Sequence, residues 1–163
     1  MDVLFAVLAF VAIVVGLAYG FLSRSPQRPA LVSAALPVAA SIATVSMLGS
    51  LYYSEIRGFT PCELCWYQRI AMYSLAVILV IAVLRRDTQI APYAATLSFI
   101  GFGISTYHYY VQMFGGGDSC GLDASCAVRW VDTFGIVSIP FMAGAGFFGV
   151  AGSMFYLLKA RTR

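Results

Sequence analysis

The chain has 163 residues, of which 61% are hydrophobic and only 10% charged, whereas soluble domains carry about 25% charged residues. Ten basic and seven acidic residues give a net charge of +3, and no nucleic-acid partner is expected. This composition excludes an ordinary water-soluble domain and indicates a protein that lies in lipid.

Five apolar runs are long enough to cross a bilayer, which takes about 20 residues. The first run, residues 3–22, follows Met1 and Asp2 without the basic segment of a signal peptide, so we predict a retained helix. The later runs cover residues 31–53, 66–84, 90–113 and 134–158. The sequence therefore predicts an all-α membrane protein, a transmembrane helix bundle of five spans that forms a single domain over residues 1–163.

The basic residues predict how the bundle is oriented. If the spans alternate, residues 23–30, 85–89 and 159–163 share one side, and they hold seven of the ten basic residues, Arg85 and Lys159 among them. Basic loops stay in the cytoplasm, so we expect the C-terminus inside and the N-terminus outside. The four cysteines then lie outside, where disulfides persist. They are Cys62, Cys65, Cys120 and Cys126.

The first cysteine pair is a C-x-x-C at the start of the third span, between Pro61 and Arg69. The free N–H groups and the dipole of a helix N-terminus favour a thiolate. Arg69 follows Cys65 by one helical turn, and its charge also lowers a thiol pKa, unless its side chain simply extends to the membrane surface. A structural disulfide is the alternative, but so small a loop constrains the unfolded chain little. Redox chemistry is therefore favoured.

The order Pro-Cys-x-x-Cys-x-Tyr-x-Arg at the start of a membrane helix resembles the signature of the disulfide bond formation protein B (DsbB) family. The resemblance covers about residues 31–158, and residues 62–73, 104–112 and 130–140 resemble most the Gram-positive-type branch. It implies a four-helix family core. Residues 3–22 are then an added N-terminal span, which we do not expect to touch the site.

The resemblance also implies a quinone, ubiquinone or menaquinone, as the electron acceptor. It implies that Cys65 is the thiolate facing the quinone, that Cys62 exchanges with the second pair, and that Arg69 is a neighbour of the quinone. His108, the only histidine, lies at a depth similar to that of a family histidine near the quinone. A hydrogen-bonded packing role is the alternative. The cysteine spacings would make an unusual zinc framework, so we expect no metal.

The second pair, Cys120 and Cys126, lies in a polar, glycine-rich segment that begins near Gly115. We expect a flexible loop that exposes this pair to soluble partners. The seven residue steps from Met113 to Cys120 reach up to about 23 to 25 Å when the chain is extended. By resemblance, a thiol partner attacks Cys120, and Cys126 passes electrons to Cys62. A structural staple is the alternative.

The last span and its approach carry two further patterns. Trp130 and Phe134 are four residues apart, as in a short amphipathic turn at the membrane surface or in an aromatic belt at a helix entrance. Within the span, Ala145, Gly149 and Ser153 recur every four residues. Such a ridge of small residues lets another helix approach closely.

Together these features predict a thiol:quinone oxidoreductase of the bacterial cell (inner) membrane that re-oxidises an extracytoplasmic thioredoxin-fold thiol oxidase of the DsbA type. No nicotinamide or flavin motif is present. A partner oxidase at about −120 mV needs an acceptor more oxidising than glutathione at about −200 mV. Two alternatives stay open. One is a vitamin K epoxide reductase-like quinone enzyme, against which the motif order argues, and the other is a non-enzymatic membrane scaffold with two structural disulfides.

Overall fold

The computed structural model describes residues 1–26, 28–114 and 126–162, and these residues fold into five α-helices. The helices are α1 (Asp2–Leu22), α2 (Pro29–Leu51), α3 (Glu63–Arg85), α4 (Ala91–Phe114) and α5 (Ile139–Arg161). A π-helical turn, Tyr52–Ile56, extends α2, and a 3-10 turn, Thr88–Ile90, precedes α4. The described ranges contain no strand, only one isolated bridge. The predicted all-α fold with five helices is confirmed.

Four of the helices are long and apolar enough to cross a membrane, namely α1, α2 with its π-helical extension, α3 and α5. The remaining helix, α4, has 24 uncharged residues, but its tyrosine, serine and threonine side chains make it less apolar. It packs against both α3 and α5, so part of its surface faces protein and need not be apolar. The chain is a multi-pass membrane protein.

The helix α5 lies at the centre of the bundle, packed against α1, α2 and α4. Small residues permit the close approach of α1. A Cβ atom added at Gly149 would lie 2.9 Å from the carbonyl oxygen of Ala12, and one added at Gly152 would lie 2.6 Å from that of Gly16. Only a glycine allows backbones to come so close. The predicted small-residue ridge on the last span is thus confirmed at Gly149.

The three basic segments meet at one end of the bundle. The guanidinium of Arg161 donates hydrogen bonds to the carbonyl oxygen of Thr88 (3.1 Å) and the side chain of Gln89 (2.8 Å). Near them, the backbone N–H of Arg28 donates to the hydroxyl of Tyr156 (3.3 Å). The C-x-x-C pair lies at the opposite end, where α3 begins. The basic segments of the sequence therefore lie together at one end of the folded bundle, and the C-x-x-C pair lies at the other.

The last helix begins later than the sequence predicts. The apolar run predicts a fifth span that starts at Phe134, whereas α5 begins at Ile139. Phe134 has a φ of 59°, outside the right-handed helical region. The backbone groups of Thr133 and Val137 bond to each other (3.0 Å both ways) and close a small turn. The amphipathic helical turn suggested for Trp130 to Phe134 is wrong for the same reason.

Candidate functional site

The C-x-x-C pair forms the entrance of α3. Cys62 is the N-cap residue, with an extended backbone that follows Pro61, and Cys65 lies in the first turn. The carbonyl oxygen of Cys62 accepts the first hydrogen bond of the helix, from Trp66 N–H (3.1 Å). Both thiols are free, and their Sγ atoms lie 3.2 Å apart. The predicted position of the pair at a helix N-terminus is confirmed.

His108 of α4 connects the two cysteine segments. Its Nε2 atom lies 3.7 Å from Cys62 Sγ and 3.2 Å from the carbonyl oxygen of Cys126. On the other side of the ring, Nδ1 lies 2.8 Å from the amide nitrogen of Gln68. Because a carbonyl oxygen only accepts, Nε2 carries the proton and Nδ1 accepts from Gln68. A neutral, buried imidazole thus directs an N–H group towards Cys62 and the Cys126 segment.

These contacts make Cys62 the more acidic thiol of the reduced pair. The pKa of Cys62 is held well below its usual range, chiefly by the hydrogen bond that the Cys65 thiol donates to ionised Cys62. Burial acts in the opposite direction, and the hydrogen bond from His108 lowers the pKa further. The free N–H groups at the start of α3 favour the same anion. The sequence predicted an activated thiol in this pair without assigning it, and the resemblance implied that Cys65 is the thiolate that faces the quinone. In the reduced pair, the hydrogen bonds favour the anion on Cys62.

Arg69 lies one turn beyond Cys65 and points into the bundle. It is only 9% exposed. Its guanidinium donates hydrogen bonds to the hydroxyl of Ser50 (Nε, 3.0 Å) and to the hydroxyl of Ser54 (Nη2). Its Cζ atom lies over the Trp66 ring, 5.1 Å from the ring centroid. These contacts hold the positive charge of Arg69 inside the bundle near the thiols. The side chain does not extend to the membrane surface.

A cavity of about 470 Å³ opens beside the pair, between α1, α2, α3 and α5. Most of its lining is apolar, and the charged and amide groups lie at the thiol end. This polar end includes Ser50, Ser54, Cys65, Gln68 and Arg69, while Ser41 and Ser46 of α2 are polar lining residues farther along the cavity. Neither Cys62 nor His108 lines the cavity. Cys65 and Arg69 therefore face the cavity, while His108 serves the other side of the pair.

Aromatic rings cover the outer end of the cavity. Phe59 stacks on Tyr53, with the ring centroids 5.8 Å apart, and on Trp130, with the centroids 5.1 Å apart. All three residues line the cavity. Trp130 follows Cys126 by four residues, so the same stretch of chain carries Cys126 and one of the rings that cover the cavity.

The helix α1 lines this cavity, which corrects the expectation that the added N-terminal span does not touch the site. Six of its residues contribute to the wall, namely Phe5, Leu8, Ala9, Val11, Ala12 and Val15. They recur at helical spacing and so lie on one face of α1. The docking of α1 on α5 turns that face towards the cavity, and no pattern in the sequence indicates the docking partner.

The second pair is described only through Cys126. Cys126 is disulfide-bonded and 1% exposed, and it packs with Cys62 and Val111 in a small buried cluster. The expectation that this pair is exposed is thus wrong for Cys126, because α3 and α4 cover it. Cys120 and the glycine-rich segment around it lie outside the described residues. Cys126 therefore lies beside the first cysteine pair, packed with Cys62.

The ligand atoms of Cys62, Cys65 and His108 all lie within 4.8 Å of one another. A structural zinc site takes four protein ligands, and a catalytic zinc site takes three with a bound water. The ring nitrogen that faces the thiols, Nε2, carries the proton and donates to the carbonyl oxygen of Cys126 (3.2 Å), so in this tautomer it has no lone pair for a metal ion. The same N–H lies 3.7 Å from Cys62 Sγ.

Sequence reasoning missed the polar residues that hold the site. Gln68 fixes the tautomer of His108, and Ser50 and Ser54 hold Arg69. One signal could have indicated Gln68, since an amide in a membrane helix needs a polar partner. Ser50 and Ser54 are one turn apart near the end of α2 and its extension. Their partner, Arg69, lies on α3, and the sequence does not show that these two helices pack against each other.

Comparison with known proteins agrees with these observations. The family model described as Disulfide bond formation protein DsbB matches residues 32–157. Disulfide bond formation protein C of Bacillus subtilis (strain 168) is 47% identical over 105 residues, which cover 63% of this chain and 76% of that protein. A Bacillus anthracis protein named "Probable disulfide formation protein C 1" is 44% identical over 119 residues, 71% of this chain and 85% of that relative. No solved structure gives a significant match.

Proposed function

The chain belongs to the DsbB family of disulfide bond formation proteins, and from this premise we propose that it oxidises an extracytoplasmic dithiol protein and reduces a membrane quinone. Membership makes it a disulfide-forming oxidoreductase related to the Bacillus proteins. One observation carries the proposal. The two thiols of the C-x-x-C pair face different surroundings, since Cys65 lines the apolar cavity while Cys62 packs with Cys126.

The cavity suits a quinone. A volume of about 470 Å³ lies within the range of roughly 300 to 1,000 Å³ found for small-molecule sites. Its polar end offers the Arg69 guanidinium as a hydrogen-bond donor, and its apolar remainder accepts a hydrocarbon chain. A molecule with a polar ring and an apolar chain matches both parts. Because Cys65 lies at the polar end, the ring would be next to its sulfur.

Electrons would enter through the second pair. A thiolate of the partner, a thioredoxin-fold oxidase, attacks Cys120, and the second partner thiol resolves the mixed disulfide. The partner leaves oxidised, and Cys120 and Cys126 are left reduced. Cys126 then attacks Cys62 in the oxidised Cys62–Cys65 disulfide, and Cys65 departs as a thiolate beside Arg69. Cys120 closes on Cys126, which restores the second disulfide and leaves the first pair reduced.

Electrons would leave through Cys65. A bound quinone supplies the acceptor of two electrons and two protons. A quinone bound in the cavity would accept the two electrons of the reduced pair, and the Cys62 thiolate, 3.2 Å from Cys65 Sγ, is placed to form the disulfide with Cys65 as the pair is oxidised. His108 keeps Cys62 ionised for that attack, and we propose this role for it instead of contact with the quinone. Arg69 favours both the departing Cys65 thiolate and negative charge that develops in the cavity.

The charge distribution supports a proposal for the compartment. The end of the bundle that carries Arg28 and Arg161 would be cytoplasmic and the end that carries the C-x-x-C pair extracytoplasmic. The thiol partner would then be a DsbA-like protein outside the cytoplasm. A scaffold stapled by two disulfides does not account for the free thiols of Cys62 and Cys65.

The test is to purify the full-length protein, extract its lipid and identify any quinone by mass spectrometry. The protein is then reacted with a reduced thioredoxin-fold dithiol protein and that quinone. We expect a co-purified quinone and its reduction to the quinol by the unaltered protein, and no reduction by Cys65→Ser. Oxidation of the dithiol at full rate without any quinone would overturn the proposal.

A further inference from the structure

We propose, resting on the proposed quinone site, that α1 forms one wall of a groove for the quinone's isoprenoid chain and thereby makes the enzyme selective for long-chain quinones. The wall lies outside the family match, because that match begins at residue 32 and α1 ends at Leu22. The helix therefore adds a feature to the site that the matched part of the chain does not contain.

The position of α1 beside the cavity is fixed at several points. Its backbone touches α5 at Gly149 and Gly152. At the outer end, a Cβ atom on Gly49 of α2 would lie 3.0 Å from the Phe5 ring. Asp2 accepts a hydrogen bond from the Tyr53 hydroxyl (3.3 Å) and forms an ion pair with Arg57 (3.5 Å). A helix held by its backbone and at its end presents a defined wall.

The wall is purely apolar and elongated. From Phe5 to Val15, the lining residues of α1 extend along about 15 Å of helix axis. Apolar residues of α2 face them across the groove, among them Val38, Ile42 and Val45. A ring held at Cys65 would occupy only the polar end. The apolar remainder is shaped for a hydrocarbon chain attached to that ring.

The wall changes where the chain of the quinone lies. Without α1, the groove beside α2 and α5 would open to lipid, and the chain would stay among lipid tails. Lipid is as apolar as the groove, so the gain from the wall comes from close packing and not from removal of water. Close packing depends on chain length and shape, so the site would distinguish quinones by their chains.

The experiment uses two matched valines of α1 in the full-length protein. Val11 lines the groove and is 52% exposed, and Val14 is 64% exposed and lies outside the lining. We expect Val11→Trp to raise KM for a long-chain quinone about tenfold, while KM for a tailless quinone with the same ring stays within about twofold. That tenfold change corresponds to about 1.4 kcal/mol. Val14→Trp should leave both KM values unchanged.

If Val11→Trp changes KM equally for the long-chain and the tailless quinone, or changes neither KM, the proposed role of α1 is wrong. A long-chain quinone with a photoreactive group on its tail provides a second measurement on the unaltered protein. It should label the peptide that contains α1, and labelling confined to other helices would contradict the inference even if Val11→Trp does not insert. If the unaltered protein reduces neither quinone, the proposed function fails instead, so the two failures are distinguishable.

Discussion

Cys62 and Cys65 are three residues apart but have different neighbours. The N-cap position gives Cys62 the free N–H groups of α3 and the N–H of His108, whereas one helical turn carries Cys65 to the cavity and Arg69. In the proposed mechanism, this helix start separates the sulfur that exchanges with another cysteine, Cys62, from the sulfur that faces the acceptor, Cys65. The separation depends on Arg69 and His108, which act on different members of the pair.

For Arg69, we expect Arg69→Ala to insert and fold but to slow quinone reduction about ten- to a thousandfold, a loss of about 1 to 4 kcal/mol of transition-state stabilisation. Arg69→Lys should restore part of the rate, because it keeps the charge without the planar donor group. The measurement is quinone reduction by purified variants, with exchange between the two cysteine pairs followed separately. Arg85→Ala is the control, since Arg85 lies at the opposite, exposed end of the same helix and does not line the cavity. Unchanged kinetics in Arg69→Ala would remove Arg69 from the site.

For His108, we expect His108→Ala to raise the pKa of Cys62, because one of the two hydrogen bonds to its thiolate is lost. The thiolate exists above the pKa, so a raised pKa moves the alkylation profile of Cys62 to higher pH. At a pH below the pKa of Cys62 in both proteins, a rise of about one unit in that pKa lowers the thiolate fraction, and hence the alkylation rate, about tenfold. Mass spectrometry of the reduced protein after timed alkylation measures the profile. An identical profile in His108→Ala would mean that His108 only packs.

At the scale of whole helices, the close packing of α1 on α5 is directly testable. Gly152→Val places a side chain against the carbonyl oxygen of Gly16, so we expect the protein to lose about 1 to 3 kcal/mol of stability through overpacking. Gly103→Val is the control, because a Cβ atom there meets nothing within 4 Å. Thermal unfolding of the purified proteins compares the two. Equal stability of both variants would contradict the packing described here.

The segment that carries the second pair offers another test. We expect a partner variant that lacks its second thiol to accumulate as a covalent complex with Cys120, because it can attack the Cys120–Cys126 disulfide but cannot resolve the mixed disulfide. Non-reducing gels, followed by mass spectrometry of the linked peptides, detect the complex. Cys126→Ser is the control, because it has no second disulfide to attack. A complex through Cys126 would mean that the two roles are exchanged, and the absence of any complex would mean that the second pair is structural.

The elements show what the sequence could predict. Long apolar runs are a strong signal, so the existence of five helices was predictable, and the C-x-x-C pair marked the start of α3 correctly. The start of α5 was not predictable, because an apolar run does not reveal the left-handed conformation of Phe134. The burial of Cys126 and the docking of α1 also escaped prediction, since both depend on contacts between segments far apart in the chain.

At the scale of the whole molecule, the orientation in the membrane decides which compartment supplies the thiols. Reporter fusions at Gln89 and Gly117 should show a cytoplasmic and an extracytoplasmic location, respectively, because the basic segments meet at the end that carries Gln89. The control is a fusion after Arg161, which should match Gln89. Cytoplasmic activity of the Gly117 fusion would mean that the orientation is the reverse. The cysteines would then not meet a partner outside the cytoplasm.

The central claim is that electrons pass from an outer dithiol through both cysteine pairs and leave at Cys65. The most direct measurement is a single turnover, in which full-length protein with bound quinone is mixed with one equivalent of reduced partner. Quinone absorbance and the redox state of each pair are followed together. The unaltered protein should form one quinol for each dithiol, whereas Cys65→Ser should form none although its second pair still becomes reduced. Quinol formation by Cys65→Ser at the unaltered rate would contradict the claim.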